Sequence, residues 1–427
     1  MQIQDLYPIF LQHPSIQTDT RQLQASGLFF ALKGPNFNGN LFAKQALEAG
    51  AAFAVIDEPV DFEDDRLIHT SDTLQTLQDL AKYHRQQFAI PFIAITGSNG
   101  KTTTKELVSE VLSASFKTYT TKGNLNNHIG VPLTILSVKK DAEIAVIEMG
   151  ANHQKEIEGY CQYTMPTHGI ITNCGKAHLE GFGGVEGVKK GKGELFDYLS
   201  ANDGTAFIMN DYDYLKEMGK GISKVVTYGT IDAGIIGRAD KTAEFLVVEM
   251  TKGTTIKKIK TNLVGEYNLP NVLVAVAVGK YFNVPEEDIK NALENYTPSN
   301  SRSQLIEKGS NKIILDAYNA NPTSMKAAIE NFTKMDGTGK VLLLGGMMEL
   351  GNESIAEHEA IIKLIDQYPW KAVVLVGGDF GNIKHHHIYF NNSTGARDWL
   401  HQQHFENTKL LVKGSRSMQM EKVLEDV

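Results

Sequence analysis

Apolar positions along this chain switch between an every-second-residue or continuous spacing and a helical one, and the switches divide it into three blocks. In the first, apolar runs at Leu28-Phe-Phe-Ala-Leu and Ala52-Phe-Ala-Val-Ile predict strands, with a helical stretch from Leu41 to Ala49 between them. Ser71 to Gln87 predicts a closing helix, because Leu74, Leu77, Leu80 and Ala81 fall on one face and Ser71 is placed to cap it. The second block opens at Pro91 with the buried strand Phe92-Ile-Ala-Ile. It continues through Ile144-Ala-Val-Ile, Gly169-Ile-Ile-Thr and Ala206-Phe-Ile-Met, with helical patterns between. Strands alternating with helices predict a parallel sheet, since parallel neighbours need a crossover. Short strands from Val225 to Leu263 lack such helices and predict a small antiparallel addition. Pro270 then opens an apolar helix to Gly279, in the first turn, where its missing N–H is harmless.

The third block begins near Asn300. Its strands Lys312-Ile-Ile-Leu, Val341-Leu-Leu-Leu, Val373-Val-Leu-Val and Leu410-Leu-Val alternate with helical patterns, a second α/β layering. The expected fold class is α/β with three domains, at 1–88, 89–299 and 300–427, the last boundary marked by the polar stretch Thr297-Pro-Ser-Asn-Ser. A chain of 427 residues is indeed too long for one ordinary core.

Composition narrows the function. The formal charge of −8 argues against a sequence-independent nucleic-acid binder, whose phosphate partners demand a basic surface. Two cysteines, Cys161 and Cys174, imply no disulfide framework and suit a reducing compartment. The N-terminus lacks a basic, then apolar, leader, and no run approaches about 18 apolar residues. A cytoplasmic chain without a membrane span is the expectation.

The chemistry begins at Thr96-Gly97-Ser98-Asn99-Gly100-Lys101-Thr102-Thr103, between a buried strand and a helix carrying Leu107, Val108, Val111 and Leu112 on one face. Glycines let backbone N–H groups turn toward phosphate oxygens, and the helix N-terminus adds partial positive charge. Lys101 is placed to reach the β and γ phosphates of ATP, and Thr102 to offer its hydroxyl to magnesium. One departure from the common G-x-x-x-x-G-K-T pattern is Ile95, where its first glycine would stand.

Glu148 ends an apolar strand, at the sheet edge where open α/β sheets bind ligands, and its oxygens suit magnesium. His178 follows another strand; imidazole is an unusual magnesium ligand, so chemistry alone favours a positioning or structural role. Lys189, Lys190 and Lys192 read as a solvated basic face or as charges balancing a triphosphate.

Together these residues resemble the Mur ligase family, the ATP-dependent ligases that assemble the peptide of bacterial cell-wall precursors. The phosphate loop without its first glycine is that family's pattern. Gly123-Asn-Leu-Asn-Asn-His, with Asn124, Asn126 and Asn127, is similar to the segment that follows the loop, and Glu148-Met-Gly-Ala-Asn to the one whose glutamate binds magnesium. The resemblance implies that His178 belongs to the metal site, that Asn268 and Asn271 in Gly265-Glu-Tyr-Asn-Leu-Pro-Asn contact adenine, and that Lys192 becomes a magnesium ligand once carbamylated, with Lys189 or Lys190 as alternatives in register. It also implies a central ATP-binding domain and a Rossmann-like C-terminal one.

Four segments are closest to the branch taking a UDP-muramoyl tripeptide and D-alanyl-D-alanine. They are Thr18-Asp19-Thr20-Arg21 with Gly27-Leu-Phe-Phe, Asp316-Ala-Tyr-Asn-Ala-Asn-Pro, Leu344-Gly-Gly-Met-Met-Glu-Leu-Gly, and Val412-Lys-Gly-Ser-Arg-Ser-Met. By that resemblance Thr18 to Arg21 and Ser26 grip the uridine diphosphate, Arg302 and Asp316 approach the nucleotide, and Tyr318, Asn319 and Asn321 shape the site. Gly346, where Asp is common, and His153-Gln-Lys, where a glycine often precedes Glu156, depart from the pattern.

The implied reaction transfers the γ-phosphoryl of ATP to a carboxylate and lets an amine displace phosphate, in a monomer whose domains close over the substrates. Two other readings are a related ligase, such as folylpolyglutamate synthase, and a nucleotide-binding scaffold that has lost turnover. A uridine-binding first block weighs against the folate enzyme, and intact Lys101, Glu148, His178 and Lys192 against the scaffold. His385-His386-His387, internal between two strand patterns, reads as a surface tract rather than a terminal tag or a metal site, Cys174 as a packing residue, and Met347 and Met348 as loop packing.

Overall fold

The computed structural model describes residues 1–22, 24–240, 245–299, 301–337 and 339–425, so Asn300, at the expected last boundary, lies outside the described residues. Three large sheets follow one another in sequence order among the described residues, with a two-stranded hairpin, Lys33–Gly34 and Phe37–Asn38, beside the first. The first is parallel, in the order Ile16–Gln17, Leu28–Phe30, Phe53–Ile56 and Leu67–His69. Its closing helix, Thr73–Arg85, buries Leu77, Leu80 and Ala81 as the spacing requires. The cap is Asp72 rather than Ser71: helical backbone starts at Thr73, so Asp72 is the residue whose carboxylate accepts the Gln75 N–H, at 2.9 Å. The stretch expected as one helix from Leu41 splits into a 3-10 turn, Gly39–Phe42, and a short helix, Ala43–Glu48; Leu41 itself is 79% exposed.

The central sheet has nine strands. Phe92–Thr96 lies inside it, between Ile144–Glu148 and His168–Ile171, all parallel. The expected antiparallel addition is present, because Ile235–Asp240, Val247–Lys252 and Lys258–Lys260 pair antiparallel in succession, and it is continuous with the main sheet. Lys224–Gly229 and Ile235–Asp240 extend the sheet in parallel, and Val247–Lys252 and Lys258–Lys260 then reverse. No crossover helix was needed because the first two pair only at their ends, Tyr228 opposite Ile235 and Gly229 opposite Ile236. The helix Leu269–Tyr281 is apolar all round because it is wedged between the helix Lys101–Ser113 and the sheet. Leu107, Val108, Val111 and Leu112 are buried on the facing side.

The third sheet opens with an antiparallel hairpin, Gln304–Lys308 and Asn311–Asp316, and continues in parallel through Lys409–Lys413, Lys340–Gly345, Ala372–Val376 and Ile388–Phe390. Both departures from the family pattern have local reasons. A side chain at Gly346 would meet the Gly378 Cα at 2.6 Å, so no aspartate fits. Lys155 takes a left-handed backbone, φ +72°, at the start of helix Glu156–Thr164, the conformation a glycine would adopt without strain. Among the described residues no helix is long and apolar enough to cross a membrane.

Candidate active site

The central-sheet strand Phe92–Thr96 delivers the chain into a loop that turns on two glycines, Gly97 at φ +140° and Gly100 at φ +79°. A Cβ on Gly97 would stand 2.0 Å from Thr172 Oγ1, and one on Gly100 would stand 2.7 Å from Asn271 Oδ1. The loop is braced from behind by its neighbours. Thr172 Oγ1 donates to the Asn99 carbonyl at 2.6 Å, Asn99 N–H to Asn173 Oδ1 at 3.1 Å, and Ser98 Oγ to the Gly175 carbonyl at 2.9 Å. Thr96, fully buried, donates to the Met149 carbonyl. The cradle is therefore preorganised, and the N-terminus of helix Lys101–Ser113 opens into it.

Lys101 folds back so that its Nζ donates to the Gly97 carbonyl at 2.8 Å, closing the loop around its own cation. Burial pushes its pKa down, against the pull of Glu148, with Arg302 also lowering it. Thr102 Oγ1 and Asn126 Nδ2 both donate to Glu148 Oε1, at 3.1 and 2.8 Å. Glu148 Oε2 is buried and has no hydrogen-bond partner. A buried carboxylate oxygen left unpaired is costly. Beside a hydroxyl and a phosphate loop, that oxygen fits a hard divalent cation such as magnesium.

His178 lines the same cleft, in a left-handed conformation at φ +53°, but its nearest charged neighbour is Glu349 of the C-terminal block. Glu349 Oε2 lies 2.5 Å from His178 Nδ1, off the direction of a hydrogen bond, and the imidazole holds that carboxyl below its usual range. The three lysines separate. Lys189 pairs with Glu186 at 2.7 Å and Lys190 is exposed, whereas helix Val185–Ala201 turns Lys192 inward, where it is 1% exposed. The basic-face reading thus holds for the first two and not for Lys192. Its Nζ donates to the Ala151 carbonyl at 2.9 Å and sits 4.8 Å from the Phe182 ring centroid. Burial, with Lys101 nearby, brings its pKa down to about 7.

Asn268 and Asn271 are buried and support the loop: Asn271 Nδ2 donates to Asn268 Oδ1 at 2.9 Å, and Asn271 Oδ1 accepts from Thr104 Oγ1 at 3.1 Å. From the third block, the Arg302 guanidinium stacks on Tyr318 at 3.5 Å, its Nε buried and without a partner. Asp316 accepts from the buried Lys413 at 2.5 Å and from the Ser303 N–H at 3.2 Å. Asn319 accepts from the Ala320 N–H, and Asn321 caps helix Pro322–Lys334. Asn321 also pairs with Asn99 of the phosphate loop, donating to its Oδ1 at 2.7 Å.

These groups meet in one cleft of about 1980 Å³, lined by the loop from Ser98 to Thr103, by Asn124, Asn126 and Asn127, and by Glu148, His178, Asn268, Asn271, Arg302, Asp316, Tyr318, Asn319 and Asn321. Thr18, Asp19, Thr20, Arg21 and Ser26 do not line it. They lie in the connection between strands Ile16–Gln17 and Leu28–Phe30 of the first sheet, where Arg21 pairs with Asp19 at 2.6 Å and Ser26 takes a left-handed turn. Cys174 is at the cleft, but burial pushes its thiol up to about 12, which suits packing rather than attack. Met347 is buried, while Met348 is 46% exposed at the cleft wall. Sequence reasoning missed Asn173, Glu349 and Lys413. The last two stand in segments that carried the resemblance, so a signal was present without a role.

Comparison with known proteins identifies the family. The Mur ligase family catalytic domain matches residues 14–88, the Mur ligase middle domain residues 95–279, and the Mur ligase glutamate ligase domain residues 301–416. The UDP-N-acetylmuramoyl-tripeptide–D-alanyl-D-alanine ligase of Bacillus subtilis (strain 168) is 36% identical, over 96% of this chain and 92% of that protein. The crystal structure of MurF from Acinetobacter baumannii superposes with a TM-score of 0.87 at 30% identity, covering 100% of this chain and 98% of that one. MurF ligase from Thermotoga maritima, solved in complex with ADP, gives a TM-score of 0.87 at 25% identity over 97% of each chain. With family matches over residues 14–88, 95–279 and 301–416 and likeness over nearly the whole chain, the chain belongs to the Mur ligase family.

Proposed function

We propose that this enzyme joins D-alanyl-D-alanine to a UDP-N-acetylmuramoyl tripeptide at the cost of ATP, giving the pentapeptide precursor of peptidoglycan. The observation that carries the reading is full-length likeness to ligases of that name, joined to a phosphate loop, a half-unpaired buried glutamate and a C-terminal arginine facing one cleft.

A carboxylate acylates poorly because its leaving group would be oxide. Transfer of the γ-phosphoryl makes an acyl phosphate, the amine of D-alanyl-D-alanine attacks its carbonyl, and the tetrahedral intermediate expels phosphate while the nitrogen loses a proton. Catalysis then rests on positioning and on stabilising charge. In this chain Lys101 and the N–H groups of the loop hold the phosphates, and Arg302 brings a cation from the opposite wall. Thr102 and Glu148 are the residues that would hold magnesium, which when bound neutralises phosphate charge. Asn268 and Asn271 back the adenine side of the loop. Tyr318, Asn319 and Asn321, with Asn124, Asn126 and Asn127, shape the peptide side.

Lys192 supports a further assignment. A buried lysine with a pKa near 7 offers a free amine, which adds CO2 to become a carbamate and releases one proton. That change would turn a cation facing Lys101 into an anion beside the metal site. His178 would join that site by turning from Glu349. The uridine diphosphate belongs on the first sheet, at Thr18 to Arg21 and Ser26. The assignment divides the chain at 1–88, 89–299 and 300–427, each range holding one large sheet, and pictures a cytoplasmic monomer.

Mass analysis of the product tests this. Incubation with ATP, magnesium, D-alanyl-D-alanine and UDP-muramoyl tripeptides ending in diaminopimelate or lysine should give a pentapeptide with at least one. A folded, ATP-binding protein that yields none from either would overturn the assignment.

A further inference from the structure

Helix Ser354–Ile365 ends on Asp366, a carboxylate at the helix's negative pole, where an acidic group is disfavoured unless a cation faces it. The segment entering the edge strand Ile388–Phe390 lays two imidazoles against it. His387 Nε2 lies 3.0 Å and His386 Nε2 3.9 Å from Asp366 Oδ1. One donor atom from each of the three lies within 4.8 Å of the others. Donors held tetrahedrally on a zinc-sized ion stand roughly 3.4 Å apart, so the two distances bracket what coordination requires. The pocket is sealed on one side and open on the other, with the His387 side chain 8% exposed and that of His386 78%. Next to it His385 stacks on His387 at 6.0 Å between centroids, and His385 Nδ1 is buried without a partner.

We propose that Asp366, His386 and His387 form a binding site for a borderline transition-metal ion, Zn2+ foremost, with His385 the nearest further donor. Two imidazoles and one carboxylate select Zn2+, Co2+, Ni2+ or Cu2+ over magnesium and calcium, which prefer all-oxygen shells. None of these residues lines the nucleotide cleft. The bound ion would clip the end of one helix to the edge strand of the third sheet. Sequence alone shows only a histidine tract; the carboxylate comes from a helix end twenty-odd positions earlier. An ordinary Asp–His ion pair would bring the same side chains together, and the experiment separates the two.

The test uses the full-length chain without a purification tag, titrated with Zn2+ by calorimetry and with Co2+ by visible absorption. One Zn2+ per chain should bind at micromolar concentration or tighter, and Co2+ should give visible bands of low coordination number. His386→Ala, at an exposed position, and Asp366→Asn should each weaken that affinity about tenfold or more with the circular dichroism unchanged. Phosphate-release activity should be unaltered in His386→Ala. Absence of Zn2+ uptake, or uptake and Co2+ spectra unchanged in both variants, would overturn the proposal.

Discussion

Lys101 and Lys192 share a basic character in sequence and differ in what the fold does to them. Lys101 is held at the mouth of the loop by the Gly97 carbonyl, a contact that a phosphate oxygen would replace. Lys101→Ala should therefore lower turnover of ATP by roughly a hundredfold to a thousandfold with little change in thermal stability, measured by phosphate release and calorimetry. Lys192 is sealed away, with its pKa brought down to about 7. The amine is mostly protonated at pH 6 and mostly free at pH 8, so CO2 uptake should rise between them. Carbon-13 NMR of protein equilibrated with labelled bicarbonate should show a carbamate signal growing across that window and absent in Lys192→Met; a signal independent of pH would contradict the assignment. The shape of the phosphate loop was legible in the sequence because strand end, two glycine turns and helix start fall within eight consecutive positions. The burial of Lys192 was not, because three lysines in four positions differ only in the angle each takes around a helix. The approach of Glu349 to His178 was illegible for another reason: it joins two separate sheets, and no local pattern encodes that.

At the scale of elements, the helix Pro322–Lys334 connects folding with the site. Asn321 caps it with a reciprocal Asn321–Ser324 box and holds the Asn99 amide across the cleft. Asn321→Ala should lose about 1 kcal/mol of stability through the cap alone. Its effect on ATP affinity should be coupled to that of Asn99→Ala, the double variant losing less than the two single losses added. Strict additivity, read by nucleotide titration of the four proteins, would show that the amide pair contributes nothing to binding. Most of the elements were legible because each core strand is a continuous apolar run and each helix shows one apolar face. The antiparallel edge of the central sheet was legible from strands without helices between them, but its parallel join to Lys224–Gly229 was not, because two strands that pair only at their ends need no crossover helix. The 3-10 turn at Gly39–Phe42 was misread because Leu41 is an apolar residue that faces outward.

Across the whole molecule, the central and C-terminal parts already touch. Lys176 forms an ion pair with Glu357 and donates its N–H to Thr323 Oγ1, and the Glu349 carboxylate meets His178. The expected uridine-binding turn, by contrast, stands outside the cleft, so substrate spanning both would draw the first domain inward. Small-angle scattering should show a smaller radius with nucleotide and UDP-linked substrate together than with neither, and identical profiles would count against closure. Water exclusion by such closure protects an acyl phosphate from hydrolysis. On the proposed function, one cleft couples ATP cleavage to the joining of two peptides. Phosphate release by the purified chain, measured with ATP and magnesium while each peptide substrate is omitted in turn, tests it most directly. Sustained release is expected only when UDP-muramoyl tripeptide and D-alanyl-D-alanine are both present. Release at the same rate without them, or none with both, would contradict it.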